Sequence, residues 1–239
     1  MKEHAILGIM VSITKMNFEE KRKRLVESLK DRGILTKPEV IKAMFLVPRH
    51  KFVPKEAESS AYLDTPLSIG LGQTISAPHM NAMMCEYLEL SEGEKVLEIG
   101  TGSGYHAALC AELVAPKNSE NPGHVFTIER HEELVKNAQE SLKKTGYDQN
   151  VSVIHGDGTL GYPKEAPYDK ILVTAASPTR VPVPLRKQLK EGGILCIPAG
   201  SKSYAQNLYI IKKQGDQFDS KKITGVRFVP LIGKYGFES

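Results

Sequence analysis

Three glycines at alternating positions, Gly100, Gly102 and Gly104, follow an apolar stretch in residues 96–105, VLEIGTGSGY. Glycine lets the backbone come close to a ligand, and the free N–H groups that open a following helix can bind a polar or anionic group. The spacing is G-x-G-x-G, whereas dinucleotide sites carry G-x-G-x-x-G. The pattern indicates a ligand-binding loop between a strand and a helix, although alone it is also compatible with a tight turn that binds nothing.

Acidic residues accompany this loop at the ends of three predicted strands. Glu98 lies two residues before the first glycine, Glu129 closes the next strand, and Asp157 follows the strand after that. Ligands of an open parallel sheet bind outside the carboxyl ends of its strands, so the three acids are expected to line one crevice. Three carboxylates repel a pyrophosphate and suit a cationic nucleoside, and Glu129 is placed to accept hydrogen bonds from a ribose. S-adenosylmethionine, which carries a sulfonium and an amino group, fits this description.

The segment GQTISAPHM, residues 72–80, has the polar groups of a site but no acid, lysine, arginine or cysteine. Its hydroxyls can orient a substrate, but Ser and Thr are also common in turns and caps, and Pro78 can open a helix. Ser76 and His79 invite comparison with a Ser/His hydrolase pair. No orienting acid is close in sequence and no G-x-S-x-G elbow is present, so that interpretation is rejected.

An alternation of strands and helices positions these segments. Hydrophobic periodicity predicts a helix over 18–32 and a second helix that opens with a capping box at 36–39 and ends at 47, followed by a mostly irregular stretch to 78. Further helices are predicted at 80–90, 105–114, 132–144 and 185–190, and strands at 95–99, 124–128, 151–155, 170–174 and 194–197. Segments 207–212 and 224–231 resemble an antiparallel hairpin. The fold class is α/β, a Rossmann-like, doubly wound, mostly parallel sheet with an antiparallel edge hairpin and an N-terminal helical appendage.

Composition limits the other classes of function. The net charge of +4 is small for a dedicated nucleic-acid-binding protein, so no nucleic-acid partner is expected. The apolar residues 5–13 are too few to span a bilayer and lack a cleavage site, so neither a membrane partner nor a signal peptide is expected. The three cysteines are dispersed, which suits a reducing cytoplasm, and no Cys/His spacing indicates a metal. We expect a cytoplasmic monomer.

Seven stretches of the chain from about residue 34 onward together resemble one family, the protein-L-isoaspartate O-methyltransferases. The matching stretches are RHKFVP (49–54), GLGQTISAPHM (70–80), VLEIGTGSGYHAA (96–108), GDG (156–158), APYDKILVTAA (166–176), LKEGGILCIPAG (189–200) and VRFVPLIG (226–233). Many methyltransferases share the glycine and acid motifs. GQTISAPHM and the VPL tail are specific to this family.

The resemblance implies a class I methyltransferase that uses S-adenosylmethionine to methylate the free α-carboxylate of L-isoaspartyl residues, which starts repair through a succinimide. It places Ser76 at the active-site position and Thr74, Ile75 and Ser76 in a loop that serves both substrate and cofactor. Together with the acid and glycine motifs, it gives the remaining cofactor contacts as Glu98, Gly100, Gly102, Ser103, Glu129, Arg130, Asp157 and Gly158. Thr74, Ser76, Asn81 and Val229 are the implied substrate contacts, although family members usually carry valine or histidine at position 81.

The implied domain organisation is an extension over 1–16 and a single methyltransferase domain over 17–239. The domain divides into N-terminal helices and the substrate loop (17–79), a cofactor-binding core (80–200) and the C-terminal edge strands (201–239).

Two other functions remain in view. One is a class I methyltransferase for RNA or a small molecule, but no N-P-P-Y or D-P-P-Y tetrapeptide and no basic stripe with aromatics is present. The other is a nicotinamide-dependent oxidoreductase or a noncatalytic nucleotide-binding module, which the glycine spacing disfavours.

Overall fold

The computed structural model describes residues 17–178, 182–202 and 205–238, so the predicted extension over 1–16 lies outside the described residues. The described chain opens with helix α1, Phe18–Asp31, in which Asn17 and Glu20 form a capping box. Three apolar side chains on one face of α1 are buried, as the periodicity predicts: Leu25, Val26 and Leu29. Helix α2, Pro38–Leu46, packs against α1.

The capping box predicted at residues 36–39 is absent, and this prediction was wrong. Helix α2 begins after Lys37, which gives no side-chain cap. The Thr36 hydroxyl instead donates to Glu86 Oε2 at 2.6 Å, and the backbone N–H groups of Thr36 and Lys37 both donate to Glu86 Oε1 at 2.9 Å. A carboxylate from a distant helix therefore binds the N–H groups that precede α2, and sequence spacing carries no information about such a partner.

The stretch before residue 78 contains more structure than its composition indicates. Two short 3-10 helices, Arg49–Phe52 and Lys55–Ser60, precede an antiparallel hairpin of β1, Leu67–Gly70, and β2, Gln73–Ile75. Leu71 and Gly72 connect the two strands, both with positive φ (52° and 69°), which is the backbone of a type I′ turn. Leucine is an unusual residue for the first of these positions, so the usual hairpin signal is missing.

The central sheet has seven strands. Five of them are parallel: β3, Lys95–Ile99; β4, His124–Glu129; β5, Val151–His155; β6, Tyr168–Val173; and β7, Leu189–Gly200. Strands β8, Gln206–Gln214, and β9, Gln217–Val226, add antiparallel to the β7 edge. The strand order is β5-β4-β3-β6-β7-β8-β9. Four helices complete the alternation: α3, Pro78–Leu88; α4, Tyr105–Val114; α5, Glu132–Thr145; and α6, Val183–Gln188. The predicted fold class is confirmed.

Side chains of alternating strand positions enter two separate cores on the two faces of the sheet. Val96 belongs to the larger core, together with residues of α1 to α5. Leu97 and Ile99, on the opposite face of β3, belong to the smaller core with Leu185 of α6. A strand buried on both faces explains why residues 95–99 are nearly continuous in apolar character.

The C-terminal hairpin differs from its predicted boundaries. Strand β8 is Gln206–Gln214 and β9 is Gln217–Val226, so the second strand begins and ends earlier than the predicted 224–231. Residues 227–232, here called the tail crossing, leave the sheet edge and run over the carboxyl ends of the parallel strands. Ala176 N–H donates to Val229 O, and Leu231 N–H donates to Ala176 O, both at 2.8 Å.

No helix among the described residues is long and apolar enough to cross a membrane.

The two helix starts give a matched test of capping. Glu20→Ala removes half of the α1 capping box and is expected to lower the free energy of unfolding by about 0.5–1 kcal/mol. Glu39→Ala, in the first turn of α2, removes no cap and should change it by less than about 0.5 kcal/mol. Urea denaturation of both variants measures the difference. Equal losses would mean that the Asn17–Glu20 contact contributes nothing.

Candidate active site

A cleft lies at the carboxyl ends of the parallel strands and is closed on one side by the tail crossing. We call it the strand-end cleft. Its floor comes from the residues at the ends of β3, β4 and β6 and from Gly158 after β5, its roof from residues 229–232, and its rim from Gln73 and Thr74. The cleft is therefore where the topology of an open parallel sheet places a ligand.

The glycine loop fits closely between its neighbours. Gly100, Gly102 and Gly104 have φ of 95°, 53° and 84°, which side chains rarely adopt. A Cβ at Gly100 would meet Thr174 Oγ1 at 2.4 Å, and a Cβ at Gly158 would meet Ile99 Cγ2 at 2.5 Å. The bare backbone thus makes up part of the cleft floor, and larger residues at these positions would displace it.

Glu129 holds the glycine loop in place. Its Oε2 accepts a hydrogen bond from Gly102 N–H at 3.0 Å, and its Oε1 accepts from Arg130 N–H at 2.8 Å and His131 N–H at 3.0 Å. A carboxylate offers about four lone-pair sites, so roughly one remains for a ligand. Because Glu129 also lines the strand-end cleft, a ligand hydroxyl can use that site.

Glu98 does not line the cleft, and the expectation of three acids in one crevice was wrong for it. It lies two residues after Val96, so strand alternation turns its side chain into the larger core, where it is 0% exposed. Its Oε2 accepts from the Thr127 hydroxyl at 2.6 Å, and Oε1 has no partner in the described structure. Burial raises the pKa of the Glu98 carboxyl to about 7.

Asp157 stands beside the cleft rather than in its lining. Its Oδ1 accepts from the N–H and the hydroxyl of Thr159 at 2.8 and 2.6 Å, and its Oδ2 accepts from Lys234 N–H at 2.8 Å. Partial burial would raise the pKa of Asp157, but the donors from Lys234 and Thr159 outweigh it and lower the pKa. Asp157 therefore attaches the chain terminus to the sheet. Ser103 lines a separate depression, which also includes Gly102.

A second depression, the tail groove, lies between the 72–80 loop and the tail crossing. Its walls include Ser76 and His79 from the loop side and residues 225–229 from the tail side. Thr74, Thr174 and Val229 line both the groove and the strand-end cleft, so the two openings meet at these residues. Among the described residues, no Asp or Glu lines the groove, while Arg227 and His79 do.

The loop residues Thr74, Ile75 and Ser76 have different surroundings. Thr74 is exposed where the two openings meet, Ile75 is buried in the larger core, and Ser76 lies on the groove wall. Within the described residues the Ser76 hydroxyl has no hydrogen-bond partner, whereas the Ser76 carbonyl accepts from Arg49 Nη2 at 2.8 Å. The hydroxyl is therefore available to a molecule in the groove.

His79 does have an orienting acid, contrary to the sequence-based argument. Asp64 Oδ1 lies 2.8 Å from His79 Nδ1 and also accepts from His79 N–H at 2.8 Å, and Asp64 Oδ2 pairs with Arg32 Nη1 at 2.7 Å. His79 makes no hydrogen bond to the Ser76 hydroxyl within the described chain. A Ser/His hydrolase pair is thus not formed, although the missing acid was the wrong reason for rejecting it.

Asn81 is not in the groove, so the implied substrate contact is corrected. It is 1% exposed in α3. Its Oδ1 accepts from Arg49 Nη1 at 3.2 Å, which directs its amide Nδ2 toward His106 Nδ1 at 3.1 Å. His106 Nε2 then faces Cys85 Sγ at 3.5 Å. Asn81 belongs to a buried polar network beneath the loop.

That network ends in a cluster that the sequence spacing did not indicate. The side-chain donor atoms of Cys85, His106 and Cys110 lie within 4.8 Å of one another. All three residues are buried, and their polar atoms bind one another and Asn81. The hydrogen bonds within the cluster account for its geometry.

Sequence reasoning missed several residues at the site. Thr174 follows β6 and donates its hydroxyl to Gly100 O at 2.6 Å, and its place after a parallel strand was a usable signal. Gln73 and the tail residues Pro230 to Ile232 also line the strand-end cleft. Arg49, buried beneath Ser76, is the first residue of the family-like stretch RHKFVP, but that stretch did not indicate a contact with the 72–80 loop.

A glycine loop between β3 and α4, an acid at the end of β4 and a cleft of mixed polar and apolar lining over the strand ends define a class I S-adenosylmethionine-dependent methyltransferase. The sequence model of the family "Protein-L-isoaspartate(D-aspartate) O-methyltransferase (PCMT)" matches residues 20–236. The chain belongs to this family.

Individual relatives agree with this result. The protein-L-isoaspartate O-methyltransferase of Hyperthermus butylicus is 53% identical over 92% of each chain, and that of Ignicoccus hospitalis is 55% identical over 90% of this chain and 98% of its own. A solved protein-L-isoaspartate O-methyltransferase superposes with a TM-score of 0.80 at 31% identity, over 90% of this chain and 67% of its own. A structure from Plasmodium falciparum is described as a member of the same family and was solved with S-adenosyl-L-homocysteine. It superposes with a TM-score of 0.78 at 30% identity, over 91% of this chain and 99% of its own.

Glu98→Gln is expected to stabilise the protein increasingly as pH rises. The pKa of the Glu98 carboxyl is about 7 in the folded protein and about 4.3 in an unfolded chain. Between these values the folded state holds a proton that the unfolded state has released, so this group lowers stability as pH rises through that window. Glutamine cannot ionise and retains an oxygen for the Thr127 hydroxyl.

Urea denaturation of wild type and Glu98→Gln at pH 4.5, 6 and 8 measures the effect. The variant's advantage in free energy of unfolding should grow by roughly 1–3 kcal/mol from the lowest to the highest pH. A difference that stays constant across the series would show that Glu98 is ionised in the folded protein throughout.

Proposed function

We propose that this protein transfers the methyl group of S-adenosylmethionine to the free α-carboxylate of L-isoaspartyl residues in damaged peptides and proteins. One observation carries the proposal: the strand-end cleft and the tail groove meet at Thr74, Thr174 and Val229, beside the Ser76 hydroxyl, which no described residue binds. A methyl donor and a peptide can thus approach each other from two sides. Membership of the family supports the choice of substrate.

The strand-end cleft fits S-adenosylmethionine, the methyl donor, whose sulfonium makes the transferred methyl electrophilic. Ile99, Ile128 and Leu231 provide apolar walls, and Gly100 and Gly102 leave room for close approach. Glu129 would hold the ribose through its remaining lone-pair site, with Arg130 and Gly158 beside it. The negative charge of Glu129 also favours a cationic ligand over a pyrophosphate.

The tail groove suits a carboxylate acceptor. A carboxyl group has an ordinary pKa of about 4, so the nucleophile is already ionised near neutral pH and needs no general base. What the site must supply is orientation and the removal of water. The Ser76 hydroxyl can donate one hydrogen bond without neutralising the carboxylate, and Thr74 lies where the two ligands meet.

An isoaspartyl peptide is recognised through its backbone. The linkage runs through the side-chain carbonyl and adds a methylene to the main chain, which leaves an α-carboxylate free. The extended peptide would lie between the 72–80 loop and residues 226–232, in contact with Val229. The other side chains of the peptide would make few specific contacts with the enzyme. Such recognition allows one enzyme to act on many sequences. Methylation creates a better leaving group, so the next amide nitrogen can close a succinimide and release methanol.

The remaining assignments are also part of the proposal. The three cysteines are unpaired, which supports a reducing, cytoplasmic location. We assign a monomer with no nucleic-acid partner. Residues 17–79 would supply the helices and the substrate loop, 80–200 the cofactor-binding core, and 201–239 the edge strands and one groove wall.

Paired peptides that differ only in an aspartyl or an isoaspartyl linkage test the reaction. With methyl-labelled S-adenosylmethionine, we expect label in the isoaspartyl peptide, little in the aspartyl isomer, and a product that loses its label in mild alkali. Equal labelling of both isomers, or label that survives alkali, would contradict the assignment and leave a methyltransferase for another substrate, such as RNA or a small molecule.

Two substitutions at Glu129 test the cofactor contact. Glu129→Ala should weaken S-adenosyl-L-homocysteine binding by about 2–3 kcal/mol, because it removes a charge-assisted hydrogen bond and releases the glycine loop. Glu129→Gln keeps one oxygen as an acceptor and should lose less. Calorimetric titration of folded variants measures both, and an unchanged affinity in Glu129→Ala would remove this residue from the binding site.

A further inference from the structure

Arg49 is a buried cation whose position the reaction described so far leaves unexplained. It is 0% exposed, and no carboxylate in the described part of the chain lies within ion-pair distance of it. Burying a charge without a counter-ion is costly unless every N–H group finds an acceptor. Burial lowers the pKa of Arg49 to about 10, which still leaves the group charged at neutral pH.

The guanidinium joins three separate segments around the substrate loop. Nε donates to Ala61 O at 2.9 Å, Nη1 donates to Asn81 Oδ1 at 3.2 Å, and Nη2 donates to Ser76 O at 2.8 Å. The face of the Tyr105 ring lies against it, with 5.0 Å between the guanidinium carbon and the ring centroid. Tyr105 is the first residue of α4 and directly follows the glycine loop, so the guanidinium contacts both the substrate loop and the start of this helix.

The bond to Ser76 is the one that bears on catalysis. Within the described residues, the Ser76 carbonyl accepts no other hydrogen bond, because α3 begins two residues later, at Pro78, and its first backbone bonds go to Ala77 O. Arg49 thus orients the Ser76 peptide from beneath, while the Ser76 side chain forms part of the groove wall. Lysine, a single-point donor, cannot reproduce three bonds in a fixed plane.

We propose that Arg49 is a positioning residue that sets the orientation of the Ser76 hydroxyl toward the acceptor carboxylate. It touches neither ligand. The guanidinium is buried beneath the Ser76 peptide, so it can orient the loop without contacting the acceptor carboxylate. The inference rests on the proposed function of Ser76.

A double-mutant cycle separates positioning from general structural support. Ser76→Ala should lower kcat for the isoaspartyl peptide roughly ten- to a thousandfold, and Arg49→Lys roughly ten- to a hundredfold, with S-adenosyl-L-homocysteine affinity within about twofold of wild type. If Arg49 acts through the hydroxyl, adding Arg49→Lys to Ser76→Ala should lower kcat by less than about a further threefold, because the double variant has no Ser76 hydroxyl left to orient.

Three results would each overturn the inference: kcat losses of the two single variants that multiply in the double variant, a loss of cofactor affinity in Arg49→Lys, or full activity of Ser76→Ala. If Arg49→Lys does not fold, Asn81→Ala replaces it in the same cycle, because it removes the oxygen that accepts from Arg49 Nη1. Asn81→Ala should lower kcat less than Arg49→Lys would, and its loss should again be mostly absent when it is combined with Ser76→Ala. A wild type that leaves the isoaspartyl peptide unmethylated would defeat the proposed function, and this inference with it, whereas an active wild type with multiplicative losses defeats this inference alone.

Discussion

The attachment of the glycine loop to strand β4 is the interaction on which the site depends. Gly100 N–H and Thr101 N–H both donate to Ile128 O, and the Glu129 carboxylate takes the next N–H of the loop, that of Gly102. The loop therefore cannot move independently of β4. Because Thr174 holds Gly100 O from the β6 side, the floor of the cleft is tied to both neighbours of β3. A ligand meets a surface whose polar groups are already oriented.

The sequence predicted the features that follow from local rules and failed where a distant partner decides the outcome. The apolar strands, the glycine turn and Glu129 were all predictable, because strand order and the strand-end rule act on any parallel sheet. Strand alternation also puts Glu98 on the same face of β3 as Val96, in the interior and away from the strand ends. Thr36 and Asn81 were misassigned because their partners, Glu86 and Arg49, lie about fifty and thirty residues away.

The lack of charge in the 72–80 loop now has a structural counterpart. The cation that orients this loop is present but lies beneath it, in contact with carbonyl oxygens and an aromatic ring. On the loop side the groove is lined by Thr74, Ser76, Ala77, His79 and Met80, whereas Arg227 lines it from the tail side. Because Arg49 lies beneath the loop rather than on the groove surface, it can hold the loop in place without contacting a carboxylate in the groove.

The path of the tail crossing has a consequence for the order of folding. Residues 229–232 roof the cleft, and the segment just beyond them is attached by Asp157 to Lys234 N–H and by the Thr159 hydroxyl to Tyr235 N–H, although about seventy-five residues separate these partners along the chain. The seventh strand of the sheet ends at Val226, so the sheet can form before the tail crossing docks on it. The cleft receives its roof only when that docking takes place. Cleavage of the chain just after β9 would therefore leave the sheet formed and the cleft open.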